Sequence, residues 1–329
     1  MIIAGDIGGT HTRLAFFTGE GERVTCLVEE AFPSRPYNSL AEIVSEFLAK
    51  HTFSVSSACF GIAGPIKNGR CETTNLPWIV DAQQMTQGLN LSTVYLINDL
   101  EANAYGIATL APRDFLVLNA GTPDVEGNVA VIAAGTGLGE AGLYWDGTQH
   151  HPFATEGGHT DFAPRTPLEI ELLRFLSGRF DRVSYERVLS GPGLFNIYQF
   201  LRDTGRGTEP AWLTEELHQH DPAAVITQAA LAGRCPLCEQ ALDLFVSLYG
   251  AEAGNLALKI MATGGVFLGG GIAPKIVQKL TTPLFMEAFL AKGRMQPLVA
   301  AMPVRIILND QTALFGAARY AKLRESAQK

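Results

Sequence analysis

The chain has 329 residues, of which 47% are hydrophobic and 18% charged, and its formal net charge is −8. This composition excludes a fibrous or disordered chain, and two domains are expected because single cores stop growing near about 250 to 300 residues. The longest uncharged stretches, 51–66 and 82–98, are interrupted by Ser, Thr, Gln and Gly. No membrane-spanning segment is therefore predicted.

The charge pattern indicates the kind of partner, and the N-terminus and the cysteines indicate the compartment. No cluster of Lys and Arg supplies the positive surface that nucleic acid or an anionic membrane requires, so a small-molecule partner is expected. Residues 1–6 carry no basic leader, which predicts a cytoplasmic protein. An odd number of sparse cysteines is untypical of a disulfide framework, so free thiols are expected. They are Cys26, Cys59, Cys71, Cys235 and Cys238.

The first third of the chain reads as strands followed by one helix. Residues 1–6, 13–18 and 24–31 are β-rich and separated by turns, which predicts three antiparallel strands. Apolar residues at helical spacing predict a helix over 40–48, and a buried strand follows over 57–62. A further apolar strand, 94–97, runs directly into Asn98 and Asp99. A strand that ends on a carboxylate places it at the sheet edge where ligands of α/β folds bind.

The second part begins with the same pattern of strand, glycine turn and strand, at 129–133, 134–139 and 140–145. This repeat predicts an internal duplication, with the junction between two related α/β domains near 110–112. Thr166, Pro167 and Glu169 form a capping-box pattern that opens a helix to about residue 180. The remaining predicted elements are helices 194–202, 223–231, 239–262 and 312–322 and strands 266–268 and 304–308.

Two glycine-rich turns are candidates for phosphate binding. In Asp6-Ile7-Gly8-Gly9-Thr10, glycines let backbone N–H groups approach phosphate oxygens, and the acid could face a magnesium ion or its water shell. The alternative is an ordinary hairpin turn. Gly135-Thr136-Gly137-Leu138-Gly139 repeats the same chemistry, and neither turn matches a Walker A loop or a Rossmann fingerprint.

Six motifs in order resemble the bacterial ATP-dependent glucokinases of the hexokinase, Hsp70 and actin superfamily. The resemblance runs from residue 1 to the C-terminal helix. The motifs are Asp6–Thr10, Asn98-Asp99, Gly135–Gly137, Glu156-Gly157-Gly158-His159, Ser184–Gly193 and Leu268-Gly269-Gly270-Gly271-Ile272.

The resemblance implies an α/β fold of two ribonuclease-H-like domains, with mixed sheets flanked by helices and a ligand cleft between the domains. The small domain would comprise residues 1–110, completed by 310–329, and the large domain residues 111–309. D-glucose, ATP and Mg²⁺ are the implied ligands, with the triphosphate held by the two glycine turns and the adenosine against Gly269, Gly270 and Gly271. The family also implies a homodimer.

The same resemblance assigns roles around the sugar. Asp99 would be the general base, since phosphoryl transfer to a hydroxyl needs a carboxylate that accepts the proton of the 6-hydroxyl. Asn98 would bind the hydroxyls beside it, and Asn75 matches a further position near the sugar. The remaining ring hydroxyls, near C1 to C3, would be bound by Glu156, His159 and Glu186.

Each of these residues also has a purely structural alternative. Asp99 could cap a helix, His159 could be an ordinary hydrogen-bonded histidine, and Glu186 could be a solvated acid in a first helical turn. Cys235 and Cys238 could supply two zinc ligands, but no second pair follows. At the level of function, the alternatives are a kinase for mannose or an N-acetylhexosamine and a non-catalytic sugar sensor.

Overall fold

The structure is a computed structural model that describes residues 1–19, 23–73, 75–122 and 125–327. The chain forms two units. Unit 1 comprises Met1–Asp114, Pro152–Ala154 and the C-terminal segment from Asn309, and unit 2 comprises Phe115–His151 and Thr155–Leu308.

Unit 1 is built on a five-stranded mixed sheet in the order β3-β2-β1-β4-β8. The first three strands pair antiparallel, as predicted, and β1, β4 and β8 run parallel. A small antiparallel sheet, β5-β6-β7, was not predicted from the sequence. The strands are β1 (Ile2–Ile7), β2 (His11–Thr18), β3 (Thr25–Pro33), β4 (Ser57–Ile62), β5 (Ile66–Lys67), β6 (Arg70–Glu72), β7 (Ile79–Asp81) and β8 (Thr93–Asn98).

Helices cover both faces of the unit 1 sheet. One face packs on α1, whose Ile43, Val44 and Phe47 are fully buried. The other packs on α12 with its alanines. The α3 and α12 backbones approach closely because Gly106 and Gly316 lie at their crossing. The helices, numbered along the chain, are α1 (Leu40–Ala49), α2 (Ala82–Gly88), α3 (Asp99–Ile107) and α12 (Thr312–Ala327).

A six-stranded sheet, whose strands β9, β10, β11, β13 and β14 belong to unit 2, has the order β12-β11-β10-β13-β14-β9. Its first five strands repeat the pairing of the other sheet: β10 is antiparallel to β11 and parallel to β13, which is parallel to β14. The predicted duplication is therefore visible in strand order as well as in the glycine turns. The strands are β9 (Phe115–Asn119), β10 (Val129–Ala134), β11 (Leu138–Trp145), β12 (His150–Thr155), β13 (Gly265–Gly269) and β14 (Val304–Ile307).

A helical layer around α8, which is buried along most of its length, forms the large core of unit 2. Cys235 and Cys238 are free thiols buried at the start of α8. None of the helices in the described ranges is long and apolar enough to cross a membrane. The helices are α4 (Pro167–Ser177), α5 (Gly191–Asp203), α6 (Ala211–Gln219), α7 (Pro222–Leu231), α8 (Pro236–Ile260), α9 (Val277–Leu280), α10 (Pro283–Leu290) and α11 (Gln296–Ala300).

The predicted capping box at α4 is partly confirmed. Thr166 is the N-cap, its side chain accepts from the Glu169 N–H at 3.2 Å, and Pro167 is the first helical residue. The Glu169 carboxylate, however, accepts from the N–H of Arg165 rather than from that of Thr166, and it also pairs with the Arg165 guanidinium at 2.7 Å. A buried carboxylate needs a charged partner, and Arg165 supplies one.

Candidate active site

The carboxyl ends of three parallel strands in unit 1 meet at one sheet edge. Ile7 on β1, Ile62 on β4 and Asn98 on β8 are aligned across the sheet. The chain continues from Ile7 into the first glycine turn and from Asn98 into α3, whose first residue is Asp99. Since neighbouring strands lie about 4.8 Å apart, this register places the glycine turn and Asp99 at the same edge, two strands from each other.

Asn98, not Asp99, is the residue that caps α3. The Asn98 side-chain oxygen accepts from the Leu100 N–H at 2.9 Å, and its amide donates to the Gly64 carbonyl at 3.3 Å. Asp99 is the first helical residue, and its Oδ1 accepts from the same Leu100 N–H at 3.0 Å. Both side chains are therefore held in orientation by the helix N-terminus, where a carboxylate is stabilised by the helix dipole.

Asp6 and Asp99 interact electrostatically. Burial, together with the negative charge of Asp99, raises the pKa of Asp6 to about 6, and the nearby Arg13 guanidinium opposes the shift. Like charges in one site repel each other, and a nearby positive charge offsets that repulsion. Asp6 and Asp99 thus form an acidic pair beside the glycine turn.

The first glycine turn is tight and braced. The Gly8 N–H donates to the His11 carbonyl at 3.0 Å, and the Ser34 hydroxyl donates to the Gly8 carbonyl at 2.8 Å. Asn75 lies against Gly9, because a Cβ added to Gly9 would meet the Asn75 Cβ at 2.6 Å. Asn75 and the turn ending at Thr10 are thereby brought together.

In unit 2, the three predicted sugar-binding residues form one cluster. The His159 imidazole lies between two acids, with Nε2 3.9 Å from Glu156 Oε2 and Nδ1 4.0 Å from Glu186 Oε1. Glu156 and His159 are exposed, and Glu186 is half-buried. Two carboxylates around an imidazole present acceptors and a donor to hydroxyl groups, as recognition of a sugar requires.

Strand β11 holds this cluster together. Its Leu138 N–H donates to Glu186 Oε2 at 3.0 Å, and the Leu138 carbonyl lies under Gly158 in the turn that carries His159. The next residue of β11 to face that turn is Glu140, which lies under Gly157. The cluster of Glu156, His159 and Glu186 therefore packs on the strand that follows the second glycine turn.

A cavity of about 800 Å³ opens beside the second glycine turn, wholly within unit 2. Three glycine-containing segments meet there: the Gly191 N–H donates to the Gly135 carbonyl at 2.8 Å, and the Ile272 N–H donates to the Ala134 carbonyl at 3.1 Å. Residues of α7 form the opposite wall. The size and the mainly apolar wall with a few polar groups suit a nucleotide.

The predicted nucleotide-binding glycines fall into two groups. Gly135, Thr136 and Gly271 line this cavity. Gly137 faces the Glu186 carboxylate instead, and Gly270, at φ +79°, packs on the Ala134 carbonyl. Gly269 is buried in β13. These last glycines shape the strand ends rather than the cavity wall.

Several residues of the site were not identified from the sequence. Arg182 donates to the His159 carbonyl at 2.6 Å and pairs with Asp161 at 3.0 Å, so it supports the turn that carries His159. Asp221, Thr227 and Lys275 line the cavity. None lies in a glycine motif, and of the three only Thr227 falls in an element predicted from the sequence, the helix 223–231.

Solved structures share this fold over nearly the whole chain. A glucokinase from an Antarctic psychrotroph superposes with a TM-score of 0.85 at 33% identity and covers 98% of both chains. A ROK family glucokinase from Streptomyces griseus, solved with glucose and AMPPNP, superposes with a TM-score of 0.65 at 20% identity, covering 98% of this chain and 99% of that one. The architecture is thus that of the two-domain α/β sugar kinases, with mixed sheets flanked by helices, as predicted.

Sequence comparison gives the family. The model of the family described as Glucokinase matches residues 3–324. The glucokinase of Nostoc sp. is 44% identical over 335 aligned residues, which cover 97% of this chain and 98% of the relative. The chain belongs to the glucokinase family.

Proposed function

We propose that the protein phosphorylates D-glucose at its 6-hydroxyl with ATP, the reaction of its family, and that Asp99 is the general base. The observation that carries the assignment of the base is the position of Asp99. It is the first residue of α3, at the same sheet edge as the glycine turn and in electrostatic contact with Asp6. A carboxylate held there can accept the proton of an attacking hydroxyl.

The proposed sugar-binding residues belong to both units. Asn98 and Asn75 would bind glucose hydroxyls from unit 1, and Glu156, His159 and Glu186 would bind those near C1 to C3 from unit 2. Sites of this kind discriminate strongly against sugars that lack a hydroxyl, because a buried donor or acceptor is then left unpaired. By resemblance to the family, the set of Glu156, His159 and Glu186 favours an unsubstituted 2-hydroxyl over an N-acetyl group.

The donor site combines the cavity with the glycine turns. The cavity beside Gly135 and Gly271 would take the adenosine, and the N–H groups of the turns at 8–10 and 135–137 would contact the phosphates. The Streptomyces griseus glucokinase was solved with AMPPNP, a triphosphate analogue, which supports a nucleoside triphosphate as donor.

The acidic pair also fits Mg²⁺. The described residues include no group of three or more His, Cys, Asp or Glu side chains placed to hold a metal ion. Mg²⁺ in kinases does not need such a group, since it keeps several waters and takes one or two carboxylates plus the phosphates. Asp6, whose pKa is raised by burial and by Asp99, would hold the ion through a water molecule. The bound ion would neutralise charge that develops on the phosphates.

In the mechanism, the protein orients the sugar and accepts one proton. Asn98 caps α3, whose first residue is Asp99. Asp99 accepts the proton of the 6-hydroxyl as that oxygen bonds to the γ-phosphorus, while the bond from the γ-phosphorus to the β–γ bridging oxygen breaks and ADP leaves. A positioned base contributes on the order of 10²- to 10⁴-fold, and backbone N–H groups stabilise the charge on the transferred group.

The test of the substrate is phosphorylation of a panel of hexoses, with each product identified by ³¹P and ¹³C NMR. Glucose 6-phosphate, formed with a kcat/KM at least tenfold above those for mannose and N-acetylglucosamine, is the expected result. If mannose or N-acetylglucosamine has the higher kcat/KM, that sugar and not glucose is the substrate. Binding of glucose with no turnover would favour the sugar sensor.

We also propose that the protein is a cytoplasmic homodimer, on the family resemblance. Light scattering after gel filtration measures the mass directly, and twice the 35.4 kDa of one chain is expected. A mass of one chain at micromolar concentration would exclude the dimer.

A further inference from the structure

An acid that the mechanism above does not use lies buried under the cluster of Glu156, His159 and Glu186. Glu140 on β11 is 1% exposed, and among the described residues its Oε1 has no hydrogen-bond partner. A carboxylate oxygen without a partner, beside a second carboxylate, is very costly in such a place, and a buried acid avoids that cost by keeping its proton.

The groups around Glu140 indicate which of two buried acids is neutral. Glu252 on α8 is fully buried, but its carboxylate accepts from Lys259 Nζ at 3.0 Å and from Asn255 Nδ2 at 2.8 Å. Burial and the neighbouring Glu252 carboxylate raise the pKa of Glu140 to about 8, and Lys259 opposes the shift. Glu252 is thus the paired anion, and Glu140 is the neutral acid at pH 7.

Further titratable groups surround this pair. The Tyr249 and Tyr185 hydroxyls interact electrostatically with Glu140 and Glu252 respectively, and Tyr185 also accepts from Asn255 at 3.0 Å. Lys292 donates to Asn255 Oδ1 at 2.6 Å; burial, with Arg165 nearby, lowers its pKa to about 8. Loss of a proton from Lys292 would remove positive charge near Glu252, so alkaline pH makes the pocket more negative.

Glu140 also touches the turn that carries the sugar-binding residues. A Cβ added to Gly157 would lie only 2.0 Å from Glu140 Oε2, so this glycine rests directly on the carboxyl group. The Thr155 hydroxyl donates to the Glu140 carbonyl at 2.8 Å, and the Gly157 N–H donates to that hydroxyl at 3.1 Å. Both the main chain and the side chain of Glu140 therefore support the turn.

We propose that Glu140 is a positioning residue of the sugar site, whose neutral side chain supports the Gly157–His159 turn and so orients Glu156 and His159 toward glucose. The inference rests on the proposed function, because it takes Glu156 and His159 as glucose ligands. When Glu140 ionises, a second negative charge appears beside Glu252, the turn is displaced, and glucose binding weakens. The nucleotide cavity is lined by other segments, so the KM for ATP should not change when Glu140 ionises.

The first experiment compares the pH profiles of wild type and Glu140→Gln, whose amide is neutral at every pH. The wild-type KM for glucose is expected to rise by up to about tenfold per pH unit above pH 8. In Glu140→Gln it should change less than about threefold between pH 7 and 9.5, with the KM for ATP alike in both. Glu215→Gln, at an exposed residue of α6, is the matched control and should follow wild type. A Glu140→Gln profile that rises as steeply as wild type overturns the inference.

The second experiment tests the contact itself with a double-mutant cycle. Gly157→Ala introduces a methyl group against the Glu140 carboxyl, and a rise of about tenfold or more in the KM for glucose is expected. Glu140→Ala in the same chain makes room for that methyl group, so the double variant should bind glucose better than Gly157→Ala alone. Strictly additive effects would overturn the inference.

Different results would overturn the proposed function and the role of Glu140. Wild-type protein that does not turn over glucose overturns the proposed function. If the wild-type protein turns over glucose, but the Glu140→Gln profile and the double-mutant cycle do not give the stated changes in the KM for glucose, only the role of Glu140 is overturned.

Discussion

Asp6 connects the chemistry of the site to the stability of the fold. Burial and the nearby Asp99 raise its pKa from 3.8 to about 6, so the folded protein holds this proton more tightly than the unfolded chain does. The contribution of Asp6 to stability is therefore greatest below about pH 4 and is lost as the pH rises through about 6. Above that pH the ionised Asp6 carboxylate lowers the stability of the fold, and Mg²⁺ bound at the proposed site would offset this unfavourable free energy.

Asp6→Asn should relieve this cost. The variant is expected to match wild type in the free energy of unfolding near pH 4 and to exceed it by at most about 3 kcal/mol at pH 8. Urea unfolding at both pH values measures the difference, and kcat should fall in the same variant. A stability difference that is the same at pH 4 and pH 8 would contradict the assigned electrostatics.

The residues of the site could be predicted from the sequence only where they lie in motifs. Asp99 and Glu186 lie in the segments by which the chain resembles its family. Arg182 and Glu140 do not: their roles depend on contacts with the His159 carbonyl and with Gly157, which periodicity and spacing cannot express. The sequence alone does not distinguish a buried acid in a strand from an exposed polar residue.

The helices α3 and α12 cross so closely that glycine is required at the contact. A Cβ on Gly316 would lie 1.7 Å from the Ala102 carbonyl oxygen and 2.6 Å from the Gly106 nitrogen. The two helices can approach to this distance only because both crossing residues are glycines.

Gly316→Ala should therefore destabilise the protein by about 1 to 3 kcal/mol or more, since α12 must move away from α3. Gly88→Ala, at the end of α2, is the matched control: nothing lies within 4 Å of the added methyl group, and a neutral or slightly stabilising change is expected. Denaturant unfolding compares the two variants. Equal stabilities would contradict the described crossing.

Prediction of the elements succeeded where the hydrophobic period was clear. The strands at the two glycine turns and the helices α4, α5, α7 and α8 were predicted, with α8 beginning three residues earlier than expected. The small sheet β5-β6-β7, the strands β9 and β12 and the short helices α2, α3, α6 and α9 to α11 were not predicted, because two to nine residues carry little periodicity by which to identify an element.

At the scale of the whole molecule, unit 1 is completed by the C-terminal end of the chain. Helix α12 contributes five buried side chains to the unit 1 core, where they pack near Phe17 and Cys59. They are Ala313, Leu314, Ala317, Ala318 and Ala321. The fold of unit 1 thus depends on residues about 200 positions from the rest of it.

Truncation before Thr312 should unfold unit 1 and abolish glucose phosphorylation, although every proposed ligand residue remains in the chain. Circular dichroism and ADP release measure the two effects, and truncation after Ala327 is the control that should retain both. Full activity of the shorter chain would contradict the role of α12.

If Asp99 accepts the proton of the glucose 6-hydroxyl, Asp99→Asn should bind glucose but transfer phosphate slowly. Single-turnover phosphorylation of glucose by this variant and calorimetric glucose binding measure the two effects. The amide keeps the size of the carboxyl group but cannot act as a base, so the rate is predicted to fall by about 10² to 10⁴ while glucose still binds. Asp81 is the N-cap of α2, and Asn caps a helix about as well as Asp does, so Asp81→Asn should leave the rate and glucose binding unchanged. Turnover by Asp99→Asn within a few-fold of wild type would contradict the account.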